Sequence, residues 1–283
     1  MGIHYKFLFS PNNSGTTVMS QYLAANIVGS YLPPFGNNEG QMAPMVRKMM
    51  RGNDAWKNNA SFDWISIKQE WDKLAEKDGK IVFLESSPPN IMRVSDILKN
   101  FEDCEYVFSI SSPYSYIASH LFSASKSFNL KKIAESGLSS KIKRVTKLWI
   151  EKAQTQKLNI EEFDGASRKI TYEEFCAFPG KLLELMNASP SEDNAHVLSV
   201  DGKKNSRVRE IVNMLPKHLA FLGLDGIYEI NSVLVEYRDL IDWFGYSILS
   251  VHDVNSILSE SIALALDGQR RRFSLESMVS KAV

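Results

Sequence analysis

The sequence predicts an α/β fold with a mainly parallel sheet flanked by helices. Three short apolar runs are each followed by a polar turn of Pro, Gly, Ser or Asn and then by residues of helical periodicity. Parallel neighbours need a crossover of a dozen or more residues, most simply a helix, so repeated strand, turn and helix units imply parallel pairing. At 283 residues, 44% hydrophobic and 23% charged, the chain has the composition of one large folded domain rather than of a disordered segment.

Tyr5 to Ser10 reads as the first buried strand, the turn Pro11 to Gly15 follows, and Thr16 to Val28 reads as a helix. A Pro, Gly and Asn loop runs from Pro33 to Gly40, and Met42 to Met50 and Asp63 to Lys77 read as helices. Lys80 to Glu85 is the second strand, ended by Ser86-Ser87-Pro88-Pro89-Asn90, with a helix near Ile91 to Asn100. Cys104 to Ile110 is the third, ended by Ser111-Ser112-Pro113 and followed by a helix from Tyr114 to about Ser123. A long helix centred on Ile142 to Thr155, a short strand at Arg168 to Thr171, a polar surface loop in Met186 to Asn205 and a mostly helical remainder from Arg207 complete the reading.

Lys plus Arg equals Asp plus Glu at 33 each, so no global field favours nucleic acid or an anionic membrane. Any anion site must be local. The two cysteines, Cys104 and Cys176, have no metal-ligand spacing, and the five histidines show no HExxH or short pairing, so neither a disulfide framework nor a metal site is expected. The opening apolar run is of strand length and interrupted by Lys6, too short for a signal peptide core or a membrane span, and the expected location is cytoplasmic.

The segment from Ser10 to Thr17 carries the chemistry. A polar Gly turn between a strand and a helix can aim backbone N–H groups, the hydroxyls of Ser14, Thr16 and Thr17, and a helix N-terminus at one point, which makes an anion cradle. It is not the nucleotide-triphosphatase loop GxxxxGK[ST], because the Lys is missing, and this disfavours a kinase. Read alone, Ser14-Gly15-Thr16-Thr17 is equally a helix cap.

Three segments in order resemble the sulfotransferases that use 3′-phosphoadenosine-5′-phosphosulfate (PAPS). Ser14-Gly15-Thr16-Thr17 resembles their 5′-phosphosulfate loop. Glu85-Ser86-Ser87-Pro88-Pro89-Asn90-Ile91-Met92-Arg93 is similar to their E-K-S-P-x-N-x-x-R stretch, and Tyr106 to His120 is similar to their 3′-phosphate motif, with Ser111, Ser112, Pro113 and Ser119 at its key positions. Ile170 to Phe175 and Trp243 to Tyr246 add weaker echoes, so the resemblance spans about residues 5 to 246. It implies a three-layer, P-loop-like sulfotransferase domain over residues 1–246 and a helical C-terminal extension over residues 247–283.

The resemblance further implies PAPS as donor and PAP as product, with Asn12, Asn13, Ser14, Gly15, Thr16 and Thr17 on the 5′-phosphosulfate. Ser111 and Ser119 fall to the 3′-phosphate, as do Lys203 and Lys204 in a late basic loop. Glu85 is the implied general base toward a hydroxyl or amine of a small-molecule or carbohydrate acceptor, and His120 is an alternative base or a packed histidine. Asn13, Ser86 and Ser111 stand where the family carries cations, so Asn13 marks the catalytic position normally held by Lys or Arg. The alternative is a catalytically silent binding module of the same fold. Arg47, Lys48 and Arg51 are assigned to one helix, as a compensating cluster or a solvated face. In the extension, the spacing of Ile257, Ile262, Leu264 and Leu266 predicts an amphipathic helix that packs on the domain or on a second copy in a homodimer, and Arg270 to Arg272 form a basic turn.

Overall fold

The computed structural model describes residues 2–58, 60–123, 137–163, 165–188 and 211–282. The chain divides into two compact units, Met1–Ile110 with Thr155–Val212, and Ser111–Gln154 with Asn213–Val283. Residues 247–283 therefore share a unit with residues 111–154 and 213–246.

Among the described residues of the first unit, five parallel strands form one sheet: β1 (His4–Phe9), β2 (Ser30–Tyr31), β3 (Val82–Glu85), β4 (Glu105–Ile110) and β5 (Lys169–Thr171), in the order β2-β3-β1-β4-β5. In chain order the helices are α1 (Thr16–Asn26), α2 (Pro44–Met49), α3 (Trp64–Lys77), α4 (Val94–Asn100), α5 (Pro113–Ser123), α6 (Leu138–Glu162), α7 (Tyr172–Ala177), α8 (Gly180–Leu185), α9 (Leu215–Leu234), α10 (Arg238–Trp243), α11 (Val251–Glu260) and α12 (Ile262–Ala282). β2 has two residues, too few for an alternation to register in sequence. It is set by the turn at Gly29, whose carbonyl accepts from the N–H groups of Ile81 and Val82. Arg51 lies outside α2 with a left-handed φ of 48°, so the basic triplet assigned to one helix is split.

The sheet is covered on both faces, as parallel sheets are. One face is aromatic. Tyr5, Phe7 and Phe9 of β1 lie with Phe83 and Phe108, and Trp71 of α3 meets Phe83 at 5.2 Å while Phe101 after α4 meets Tyr5 at 4.7 Å. The other face is mostly aliphatic: Leu8, Leu84, Val107 and Ile170 pack with Met19 and Leu23 of α1, Phe175 of α7, and Leu182 and Leu183 of α8. Each such side chain contributes about 1.5–3 kcal/mol by leaving water. Lys6, the residue that interrupts the first apolar run, is buried; its ammonium donates to the Met186 carbonyl at 2.7 Å and to Glu105 at 3.2 Å. A capping box at Thr171 and Glu174 starts α7 immediately after β5.

Strand order fixes where a ligand can sit. From β1 the chain crosses to β2 on one side, and from β4 it leads outward to β5 on the other, so β1 and β4 are neighbours whose connections diverge. The carboxyl ends of such strands are the switch point where open α/β sheets bind ligands. Here Gln156, on the part of α6 that belongs to the first unit, donates its amide to the carbonyls of Phe9 at 2.7 Å and Ser109 at 2.9 Å. It ties the two strand ends together.

The second unit is helical around α9, against which α5, α11 and α12 pack. Tyr114 donates to Asn231 at 2.6 Å and accepts from the Leu249 N–H, and Asn231 donates to the Leu249 carbonyl, so three residues far apart in sequence satisfy one another. α9 breaks at Gly223, whose φ of 66° and ψ of 172° suit only glycine. Arg272 of α12 fills the break, donating to the Leu222 carbonyl and pairing with Asp225 at 2.7 Å. Gly268 brings α12 against the Lys217 backbone, where any Cβ would collide. The single amphipathic helix expected from Ile257 to Leu266 is instead two, with Ile257 on α11 and Ile262, Leu264 and Leu266 on α12, and Arg270 to Arg272 lie within α12 rather than in a turn. Ala265, Gly268 and Leu275 are buried, whereas Ile262 and Leu266 are 66% and 48% exposed. The close approach demands small residues at the contact, which puts the larger ones in solvent.

Candidate functional site

The turn after β1 takes its shape from two left-handed residues, Asn13 at φ 60° and Gly15 at φ 79°. Asparagine adopts that region more readily than lysine does, which gives a local reason for Asn at position 13. Gly15 is fixed twice over, because a Cβ would also collide with the ring of Tyr172. α1 starts at Thr16 after an N-cap, Gly15, that has no side chain with which to cap it, and the N–H groups of Val18 and Met19 both turn back to the Gly15 carbonyl. Ser10, Ser14 and Thr16 are buried. Among the described residues the Ser10 hydroxyl, at 0% exposure, has no hydrogen-bond partner, and neither do Asn12 Oδ1 and Gln156 Oε1. A buried polar atom left so costs on the order of 1–3 kcal/mol until something bonds it. Three such atoms therefore lie in or beside the turn at the switch point.

Glu85, at the carboxyl end of β3, is 1% exposed. Its Oε1 accepts from the Ser87 N–H at 2.9 Å and the Asn90 amide at 2.8 Å, and its Oε2 accepts from the Gly40 N–H at 2.7 Å. Burial lifts its carboxyl to about 7, against the pull of those hydrogen bonds, and Glu39 adds a little. Gly40 is held from the other side by the Trp71 indole, at 3.1 Å from its carbonyl. Ser86 donates to the Asn38 carbonyl and Ser87 accepts from the Gln41 N–H, both at 3.2 Å. The hydroxyl at position 86 is thus part of a tight seam between β3 and the 38–41 segment. Arg93 does not pair with Glu85. Its guanidinium is 5% exposed, bonds the carbonyls of Pro89, Ala55 and Lys57, and lies 4.8 Å from the Phe62 ring.

Ser111, Ser119 and His120 fall in the second unit. Ser111 is buried, and its carbonyl accepts from the Trp149 indole at 3.1 Å. Ser112 caps α5 by accepting from the Ser115 N–H at 3.2 Å. Ser119 and His120 follow one another on α5 and meet different neighbours. Ser119 lies 3.4 Å from Nε2 of His218, at the start of α9. His120 stacks on Tyr116 at 6.3 Å, and burial together with Lys141, Arg144 and Lys152 of α6 holds its imidazole below the usual value. His218 is held neutral more strongly, down to about 3, by burial and then by Lys217 and Arg271. Lys203 and Lys204 lie outside the described residues.

Asn12 to Thr17 therefore run from the turn into the first residues of α1, Gln156 is bonded to the strand end before them, and Glu85 anchors a loop of the same unit. Gln156 and His218 have no sequence signal: one is a polar residue in a polar helix, the other one of five scattered histidines. Among the described residues no group of three or more His, Cys, Asp or Glu is placed to hold a metal ion, and no helix is long and apolar enough to cross a membrane. Fold and loop together define an α/β protein with an all-parallel sheet and a helix N-terminus at its switch point. No protein-family model matches the chain, and no curated protein matches it.

Proposed function

We propose that this chain is a PAPS-dependent sulfotransferase that moves a sulfuryl group to a hydroxyl or amine of a small-molecule or carbohydrate acceptor. One observation carries the reading: the N-terminus of α1, opened by the glycine N-cap Gly15, follows the central strand at the switch point, backed by the buried hydroxyl of Ser10, which has no hydrogen-bond partner among the described residues. Backbone N–H groups and hydroxyls in that setting suit the 5′-phosphosulfate of the donor, with Asn12, Asn13, Ser14, Gly15, Thr16 and Thr17 as its contacts. PAPS supplies an activated sulfuryl group and leaves as PAP. The sulfur–oxygen bond to the donor breaks as the bond to the acceptor forms, and Glu85 takes the acceptor's proton. A carboxyl at about 7 is matched to that task at neutral pH. The 3′-phosphate roles of Ser111, Ser119, Lys203 and Lys204 rest on the resemblance alone.

A second reading, a silent binding module of the same fold, is favoured by Glu85 itself. Both its oxygens are committed to Gly40, Ser87 and Asn90, and neutral residues occupy positions 13, 86 and 111. Labelled PAPS offered with a panel of alcohols, amines and sugars separates the two. The enzyme reading expects acceptor-dependent label transfer that Glu85→Gln lowers about 100-fold or more, the usual contribution of a positioned base. Binding of PAP without transfer to any acceptor supports the silent module instead.

A further inference from the structure

The packing of α12 on α9 uses one side of the helix. Ala265, Gly268 and Leu275 are buried there, and Gly268 admits the Lys217 backbone. On the outer side Ile262, Leu266, Gln269 and Phe273 are exposed and follow one another at spacings of four, three and four, which sets them in one stripe along α12. Arg272 leaves that stripe for the Leu222 carbonyl and Asp225, so Phe273 and Leu224 each lie one residue from the contact, and Tyr228 stands one turn beyond Leu224 on α9. Leu224 is exposed too, and Tyr228 and Phe273 are exposed at 73% and 75%. An aromatic side chain carries about 150–250 Å² of surface, so Leu224, Tyr228, Ile262, Leu266 and Phe273 together offer on the order of 500 Å². A contiguous apolar area of that size on a folded chain marks an interaction surface.

We infer that this face of the second unit is the interface of a symmetric homodimer, in which the α12 helices of two copies pack antiparallel about a two-fold axis near Gln269. The area fits that occupant: a standard interface buries about 800 Å² per partner as an apolar core inside a polar rim, and the five side chains supply the core. The stripe is also self-complementary. A two-fold axis at its middle sets Phe273 of each copy against Leu266 of the other, so one patch serves both sides, as an isologous contact requires. Gln269, polar among apolar neighbours, falls at the axis, the kind of position that fixes the register of a helix pair. Charge selects no other partner, because the stripe itself carries none and the charges beside it are tied within the chain: Asp267 pairs with Lys217 and Arg271, and Arg272 with Asp225 and Glu276. The inference stands on the second unit alone and is independent of the loop after β1.

The test is sedimentation velocity of the full chain over a concentration series. The parent is expected to dimerise with a dissociation constant of about micromolar order. Leu266→Asp and Phe273→Asp are each expected to weaken the dimer about tenfold or more, as loss of a central apolar contact does. Ile65→Asp, at a comparably exposed apolar residue of the first unit, is expected to leave it unchanged. A cross-linking arm does not depend on the folding of the charged variants. Chains carrying Leu266→Cys and Phe273→Cys, mixed and mildly oxidised, are expected to link to each other in preference to themselves, with the parent as the control for Cys104 and Cys176. A parent still monomeric at about 100 μM, a dimer indifferent to both Asp variants, or like-with-like cross-links in excess would overturn the inference. A monomeric parent that is carried down by phosphatidylcholine–phosphatidylserine vesicles would also overturn it and give the face to a lipid surface.

Discussion

At Gly15 two demands meet, a left-handed backbone and the ring of Tyr172. Gly15→Ala is therefore expected to cost about 2–5 kcal/mol, from the left-handed region and the overpacking together. Adding Tyr172→Ala to it should recover the packing part alone, and urea denaturation of the single and double variants measures both. A Gly15→Ala change under 1 kcal/mol would contradict the geometry of the turn. Asn13 follows the same logic: Asn13→Lys, which restores the cation of the resembling family, is expected to destabilise by about 1 kcal/mol, and Asn13→Gly to be close to neutral. The turn was legible in the sequence because Gly, Asn, Ser and Thr are the residues such a turn needs. Glu85 was legible as a special carboxylate, but its bond to Gly40 spans 45 positions and no local pattern reports it. Gln156 was invisible for the same reason, since its partners Phe9 and Ser109 are set by strand order.

At the scale of elements, the strands before Ser10, Ser86 and Ser111 and the helices after them sit within a few residues of their expected places, because burial on both sheet faces writes short continuous apolar runs. The packing face of α12 was not legible. Hydropathy favours Ile262 and Leu266, whereas close approach to Lys217 selects Ala265 and Gly268, and steric fit wins. Arg272 answers for part of the basic run at Arg270 to Arg272, since it closes the break in α9 at Leu222 and Gly223. Arg272→Ala should cost about 1–3 kcal/mol, as a carbonyl and Asp225 lose a charged donor, and Arg272→Lys should recover little because the fork geometry is lost. Thermal denaturation of both checks this, with Arg270→Ala as an exposed control expected within about 0.5 kcal/mol of the parent.

For the whole molecule, two buried groups give opposite pH slopes. Glu85 is raised from 4.5 to about 7, so the folded chain binds its proton more tightly, and the stability this gives is present below pH 4.5 and lost as pH rises through 7. His218 is lowered from 6.5 to about 3, so its contribution is present above pH 6.5 and lost as pH falls. Each slope is at most about 1.4 kcal/mol per pH unit, and they oppose each other between pH 4.5 and 6.5. Glu85→Gln should therefore make stability rise more steeply with pH in that window than it does in the parent, as a melting series would register; an unchanged slope would mean that Glu85 ionises normally. The central claim, that the turn after β1 holds the phosphosulfate end of PAPS, is met most directly by calorimetric titration of the purified protein with PAP, beside a Ser14→Ala, Thr16→Ala double variant. Micromolar binding by the parent and its loss in the double variant are expected, whereas no binding by the parent, or equal binding by both, would contradict that role of the turn.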